Sequence, residues 1–144
     1  MPEQNFKNHG RLIPLYHYVA YLAITFSLVI TTKNFIKALI DESGRVQAAA
    51  MLSLTVAVLL ALWFARSFAL KAQDRAIRSE ENLRHFIATG KPLDSRLKMR
   101  QIIGLRFASD DEFIALAKKA AEENLSQKQI KMEIKNWKAD YNRV

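Results

Sequence analysis

Two stretches of this chain carry no charged side chain. Twenty-one residues between Arg11 and Lys33, and 20 between Arg45 and Arg66, include no Lys, Arg, Asp or Glu. A helix rises 1.5 Å per residue, so about 20 residues match the roughly 30 Å hydrocarbon core of a bilayer. One such stretch fits the buried helix of a large soluble protein. Two of nearly equal length in a chain of 144 residues, each closed by basic residues, predict a transmembrane hairpin. The spans are expected at about 13–32 and 46–67, with a loop over about 33–45. The first stretch is longer than a signal-peptide h-region of about 7–15 residues, and Thr31-Thr32-Lys33-Asn34 holds no small-x-small cleavage pattern. It is read as an uncleaved anchor.

Charge then orients the hairpin. Two spans put both ends of the chain on one side of the membrane. Lys7, Arg11, Arg66, Lys71, Arg75 and Arg78 flank the spans on that side. The loop holds Lys33, Lys37 and Arg45 beside Asp41 and Glu42. The larger basic count belongs in the cytoplasm. Tyr16, Tyr18 and Tyr21 open the first span, and Trp63, Phe64 and Phe68 close the second. In a hairpin these meet at one interface, where amphipathic rings settle. The organisation expected is a cytoplasmic segment 1–11 at the head groups, a hairpin over 12–70, and a cytoplasmic helical domain over 71–144. That last region has 16 basic and 11 acidic residues, a net charge of +5. An excess of this size suits a solvated face or anionic neighbours. The chain has no cysteine, which excludes disulfides, thiolate metal sites and thiol redox chemistry.

The fold class predicted is all-α, because no strand pattern competes anywhere. The second helix starts near Arg45 or Val46, meets no breaker before Gly90, and so runs out of the membrane as one rod. Gly90-Lys91-Pro92 stops it: Gly supplies a left-handed residue and Pro blocks continuation. Three shorter helices follow. Asp94 caps one running to about Phe107. Ser109 with Glu112, and Ser126 with Gln129, form capping boxes for the other two. Gly104 costs about 1 kcal/mol of helix propensity and marks a close helix contact.

Three groups of residues could carry function. Ala49, Ser53, Ala57, Ala61, Ala65 and Ala69 form a small-residue row in the second span, and Ala20, Ala23, Ser27 and Thr31 a similar one in the first. Small residues let helices approach closely in lipid. The rows either close the hairpin on itself or bind a second copy or another membrane protein. Next, Ile130, Ile134, Trp137 and Tyr141 fall on one stripe of a final helix. With Phe107 and Phe113 they are the expected core of the tail. Lys128, Lys131, Lys135 and Lys138 fall on another stripe, solvated or set against anionic head groups. Third, Arg96 to Phe107 is apolar enough either to lie on the membrane or to be buried.

Other residues suggest chemistry but do not complete it. His17 lies inside a span without a charged partner, so a local hydrogen bond is expected. His9 and His85 lack a second ligand at metal spacing, and Glu81 with His85 makes half a site. Asp110-Asp111-Glu112 sits at a helix start, where acids favour the dipole. Gly90-Lys91 lacks the upstream Gly and the Ser or Thr of a phosphate loop.

Gln4-Asn5-Phe6-Lys7-Asn8-His9 with Arg11, Arg84-His85-Phe86, and Gly90-Lys91-Pro92-Leu93-Asp94 make a recognisable pattern. Gln101-Ile102, Leu105-Arg106-Phe107-Ala108, Asp111-Glu112-Phe113, and Ile134-Lys135-Asn136-Trp137-Lys138-Ala139-Asp140 extend it. Together they resemble a family of small bacterial membrane proteins with no assigned function. The resemblance implies a bacterial inner-membrane setting and a helical architecture, and brings no activity or site residue.

The function expected is therefore a non-enzymatic membrane scaffold or interaction protein, without cofactor or metal. Its partners would be anionic lipid and either itself or another membrane protein. Two other readings are a factor docking on RNA or the ribosome, although no nucleic-acid motif is present, and an accessory subunit of a transport complex.

Overall fold

A computed structural model describes residues 4–10 and 12–141; Arg11, counted above for orientation, lies outside the described residues. Helix is the regular element throughout them, apart from one isolated antiparallel bridge between Ala108 and Trp137. A π-helical turn, Leu15–Ala20, leads into α1, Tyr21–Ile40. Then come α2, Arg45–Thr89, α3, Met99–Leu105, α4, Asp110–Glu122, and α5, Gln127–Glu133. The chain divides into two compact units, Leu12–Phe68 and Met1–Arg11 with Ala69–Val144. They are called here the hairpin and the head.

The turn signals act where expected. α1 closes with the Asp41 N–H donating to the Lys37 carbonyl at 2.9 Å. The reversal uses left-handed backbone at Glu42 (φ 56°) and Gly44 (φ 66°). With no Gly or Pro between Arg45 and Thr89, α2 continues for 45 residues. It ends at Gly90, φ 71°, whose N–H donates to the Phe86 carbonyl at 2.8 Å.

In the head, α3, α4 and α5 gather Leu105, Phe107, Phe113 and Ile130, all nearly solvent-free, into a core that also takes Ile77 of α2. Arg96–Phe107 thus resolves towards burial, with Leu97 and Ile102 inside. A β-carbon on Gly104 would lie 3.2 Å from Ile130 Cγ2 and 3.3 Å from the Gln127 carbonyl, so the glycine does mark a close contact, between α3 and α5.

Two caps differ from expectation. Asp94 starts no helix; its carboxylate accepts from the Arg96 N–H at 2.9 Å and from the Arg96 guanidinium. α3 begins later, where Gln101 Oε1 accepts from the Lys98 N–H at 2.7 Å. At α4, Ser109 Oγ has no hydrogen-bond partner among the described residues. Glu112 does not reach back to close the box. It accepts instead from the N–H groups of Lys135 and Asn136, at 3.1 and 3.0 Å. The Ser126–Gln129 box forms as expected, with each side chain bonded to the other residue's N–H.

The largest correction concerns the last helix. α5 stops at Glu133, and Ile134 is extended. The chain then pairs with the segment that follows α3: the Lys138 N–H donates to the Phe107 carbonyl at 2.8 Å, and the Ser109 N–H to the Asn136 carbonyl at 3.1 Å. The stripe Ile130, Ile134, Trp137, Tyr141 is therefore not helical. Ile130 is buried, Ile134 and Trp137 are half-buried, and Tyr141 is exposed rather than in the core.

Candidate functional sites on the hairpin and the head

In the hairpin, the least exposed positions of α2 include Ala48, Leu52, Thr55, Leu59, Leu62 and Arg66. They recur at alternate spacings of four and three, the period of helices packed side by side. On the first helix the corresponding positions include Ala20, Ile24, Ser27 and Thr31. Ala20, Ser27 and Thr31 of the expected small residues lie on this seam, but the row expected in the second span does not. Ala49, Ser53, Ala57, Ala61 and Ala65 are all exposed, as is Ala23, and only Ala69, which belongs to the head, is half-covered. A period of 4 drifts from the 3.6-residue turn, whereas spacings of three and four track it. The most buried hairpin side chains are Thr31 and Thr55, 8% and 7% exposed. Each satisfies its hydroxyl on its own helix, donating to Ser27 O at 2.8 Å and Met51 O at 2.9 Å. Tyr16 Oη donates to the Leu62 carbonyl at 2.5 Å, which ties the π-helical turn to α2. His17 stays local, its Nδ1 3.0 Å from both the N and the O of Ile13.

The four lysines share no face. Lys128 is exposed on α5 and Lys135 is exposed on the extended segment. Lys138 is exposed but lies 3.9 Å from Asp110. Lys131 is buried, its Nζ 2.9 Å from His9 Nε2 and 4.9 Å from the centre of the Phe107 ring. The end of α5 at Glu133 dissolves the stripe, because positions 135 and 138 no longer follow helical rotation.

Residues 4–10, expected at lipid head groups, pack on the head. The Gln4 amide and the Asp140 backbone exchange two hydrogen bonds, 3.1 and 2.8 Å. His9 lies against the Phe107 and Trp137 rings, which stack on each other with centroids 4.6 Å apart.

A polar cleft of about 630 Å³ opens beside these groups, lined by Glu80, Glu81, Arg84, Arg106, Lys138 and Asp140 among others. Arg84 pairs with Glu81 within α2 at 3.0 Å and reaches from α2 to Asp110 at 2.5 Å and to the Ala108 carbonyl at 2.8 Å. Its guanidinium also lies over the Phe113 ring at 4.2 Å. Burial pushes the Glu81 carboxyl above its ordinary value, and Arg84 offsets this only in part. The Arg84 hydrogen bond holds Asp110 below the usual range. Arg106, nearly buried, pairs with Asp140 at 3.1 Å. Three acids and three bases balance in this cleft, and the geometry is that of a brace joining α2 to the rest of the head.

His85 Nδ1 lies 2.8 Å from the Lys91 carbonyl. Among the described residues no three His, Cys, Asp or Glu side chains are placed to hold a metal ion. Gln101 carried no signal in the sequence beyond being polar in an apolar run. It is buried, and its Nε2 donates to the carbonyls of Ala120 and Leu125 at 3.2 and 2.9 Å, which joins α3 to α4.

The π-helical turn with α1, Leu15–Ile40, and α2, Arg45–Thr89, are each long and apolar enough to cross a membrane by length and composition. No curated protein and no solved structure matches the chain. A family model described as a family of unknown function, DUF6526, matches residues 1–144. The chain belongs to that family.

Proposed function

We propose that this protein is a non-enzymatic integral membrane protein of the bacterial inner membrane. Its hairpin anchors the basic head at the cytoplasmic face, where it serves as an interaction module for itself or another membrane protein. One observation carries the reading: the hairpin turns its large apolar side chains outward. Val46 is 80% exposed and Phe26 65%, with Leu22, Leu54 and Trp63 exposed beside them. A soluble protein rarely leaves an apolar surface of this extent uncovered. Two helices with their backbone bonds satisfied internally are what hydrocarbon accepts. The basic excess near the chain ends supports the cytoplasmic orientation. The exposed Lys128 and Lys135 remain available to anionic head groups.

Alkaline carbonate extraction of native membranes is the primary test. The protein stays in the pellet if the hairpin spans the bilayer, and release into the supernatant refutes it. External protease on intact spheroplasts tests orientation. The head is expected to survive until the membrane is permeabilised, and earlier trimming overturns the assignment of sides.

A further inference from the structure

The part of α2 that belongs to the head is covered on one side only. Ile77 and Glu81 are buried there and Arg84 is half-buried. On a heptad count along the helix, these are its b and f positions. The a and d positions are Ala69, Ala72, Ala76, Ser79, Leu83 and Phe86, at strict four-three spacing. All are exposed except Ala69, which is half-covered. In a coiled coil the a and d side chains face the partner helix and b and f face away. Here the head packs on the b and f side, its polar cleft reaches round as far as Ala76 and Glu80, and the a and d side chains stay exposed. Leu83 is 58% exposed, Phe86 52%, and the adjoining Ile87 76%.

Lipid does not cover this seam. Residues 69–86 hold Lys71, Asp74, Arg75, Arg78, Glu80, Glu81 and Arg84, a charge density that hydrocarbon does not accept. The flanks of the seam instead carry opposite charges. Arg75 is a g position and Glu80 the e position five residues on, and parallel coiled coils pair such residues between chains. Both are exposed, and neither makes an ion pair among the described residues. An antiparallel pairing sets g against g and e against e, which brings like charges together. The parallel pairing makes two symmetric Arg75–Glu80 contacts across a two-fold axis, so the patch carries its own complement. Two copies inserted the same way in one membrane are necessarily parallel. Ala69, Ala72, Ala76 and Ser79 let the backbones approach closely, and the larger Leu83 and Phe86 fill the far end.

We infer that the protein pairs with a second copy of itself through the Ala69–Phe86 seam of α2, in parallel and in register, with Arg75 of each chain against Glu80 of the other. This deepens the interaction role above and rests on the membrane anchor, which imposes the parallel orientation.

The chain lacks cysteine, so one introduced thiol reports alone. Ser79→Cys sits at a seam position, and Arg78→Cys at an outward c position. In full-length protein, oxidised both in native membranes and after purification, Ser79→Cys is expected to give a covalent homodimer and Arg78→Cys little. Adding Arg75→Glu to Ser79→Cys lowers the dimer yield about fivefold, two like-charge contacts replacing two attractive ones. Adding Glu80→Arg as well restores it. Equal yields from both cysteines, capture of a different polypeptide only, or no rescue by the double reversal overturns the pairing. Carbonate extraction of the same membranes separates the two ideas. Retention without a Ser79→Cys dimer sinks the pairing and leaves the anchor standing. Release sinks the anchor, and the parallel pairing with it.

Discussion

The hairpin and the head sort the same amino acids in opposite directions. In the hairpin, Leu22, Phe26, Val46 and Leu54 point out, while Thr31 and Thr55 are the buried side chains. In the head, Leu105, Phe107, Phe113 and Ile130 are inside, and the lysines, Lys131 excepted, stay partly or wholly in solvent. Removing apolar surface from water is worth about 25 cal/mol per Å², which explains the head. On the proposed membrane reading that term vanishes for the hairpin, because lipid is as apolar as leucine, and close packing decides what is hidden there. Thr suits such a seam because its hydroxyl bonds the preceding turn and leaves no orphan. The opposite directions of burial are what the proposed membrane anchor requires of the two parts.

The largest expected effect tests that contrast directly. Phe113→Ala removes a ring that is 1% exposed and packed under Arg84 and beside His85. It is expected to destabilise the head by about 3–5 kcal/mol, the usual cost of such a cavity. Phe26→Ala, on the outward face of the hairpin, leaves the same transition nearly unmoved. Urea titration of the full chain in detergent, read through Trp137 in a Trp63→Phe background, measures both. Equal shifts would break the comparison.

Next comes a charge placed on each outer surface. Leu54→Arg puts a guanidinium near the middle of the second span and is expected to cost about 2.5–3.5 kcal/mol of membrane insertion. Ile114→Arg, at an exposed position of α4, stays within about 0.5 kcal/mol. The carbonate-resistant fraction should fall sharply for Leu54→Arg alone. Indifference at Leu54 would mean that the hairpin face is wet.

The legibility of these regions follows the range of the interactions that shape them. Gly90 and Pro92 ended α2, and Gly104 marked the α3–α5 contact, because backbone conformation and close approach are written at single positions. The segment after Glu133 misled because Ile130, Ile134, Trp137 and Tyr141 imitate helical spacing. There the edge offered by Phe107 to Ser109 outweighs local propensity, and no residue within the segment announces a partner so distant in sequence. Glu112 looks like half of a cap for the same reason; the N–H groups that donate to its carboxylate lie more than 20 residues away, at Lys135 and Asn136. The alanine row misled differently. Small size was visible, but the seam follows the rotation of the helix and takes Ala48, Leu52 and Thr55 instead. The open a and d seam was hidden because only the structure shows which side of α2 the head occupies.

A smaller effect probes packing inside the head. Gly104→Ala gains about 1 kcal/mol of helix propensity. Its new β-carbon meets Ile130 and the Gln127 carbonyl at 3.2 and 3.3 Å. A backbone carbonyl gives way poorly, and overpacking costs about 1–3 kcal/mol. The net expected is a loss of about 1 kcal/mol in the same urea assay, and a gain would show that α5 can shift away.

The smallest effect is a dependence on pH. Glu81 carries its proton more readily in the folded head than in the unfolded chain, because burial outweighs Arg84. Stability therefore rises as pH falls through the raised value, and this gain is fully present once pH is below the ordinary 4.5. Asp94, lowered to about 2 by Arg96, and Asp110, lowered by Arg84, act oppositely, and their contributions are lost as pH falls below 3.8. Glu81→Gln removes only the first of these trends. Arg84 keeps Asp110 and the Ala108 carbonyl as partners, so the substitution strands no buried charge. The variant should match or exceed the parent at neutral pH by under about 1 kcal/mol, with the difference closing towards pH 4.5. A variant that instead loses stability at neutral pH would make the Glu81–Arg84 pair the stronger term, with Glu81 holding in place, within α2, the guanidinium that reaches Asp110 and Ala108.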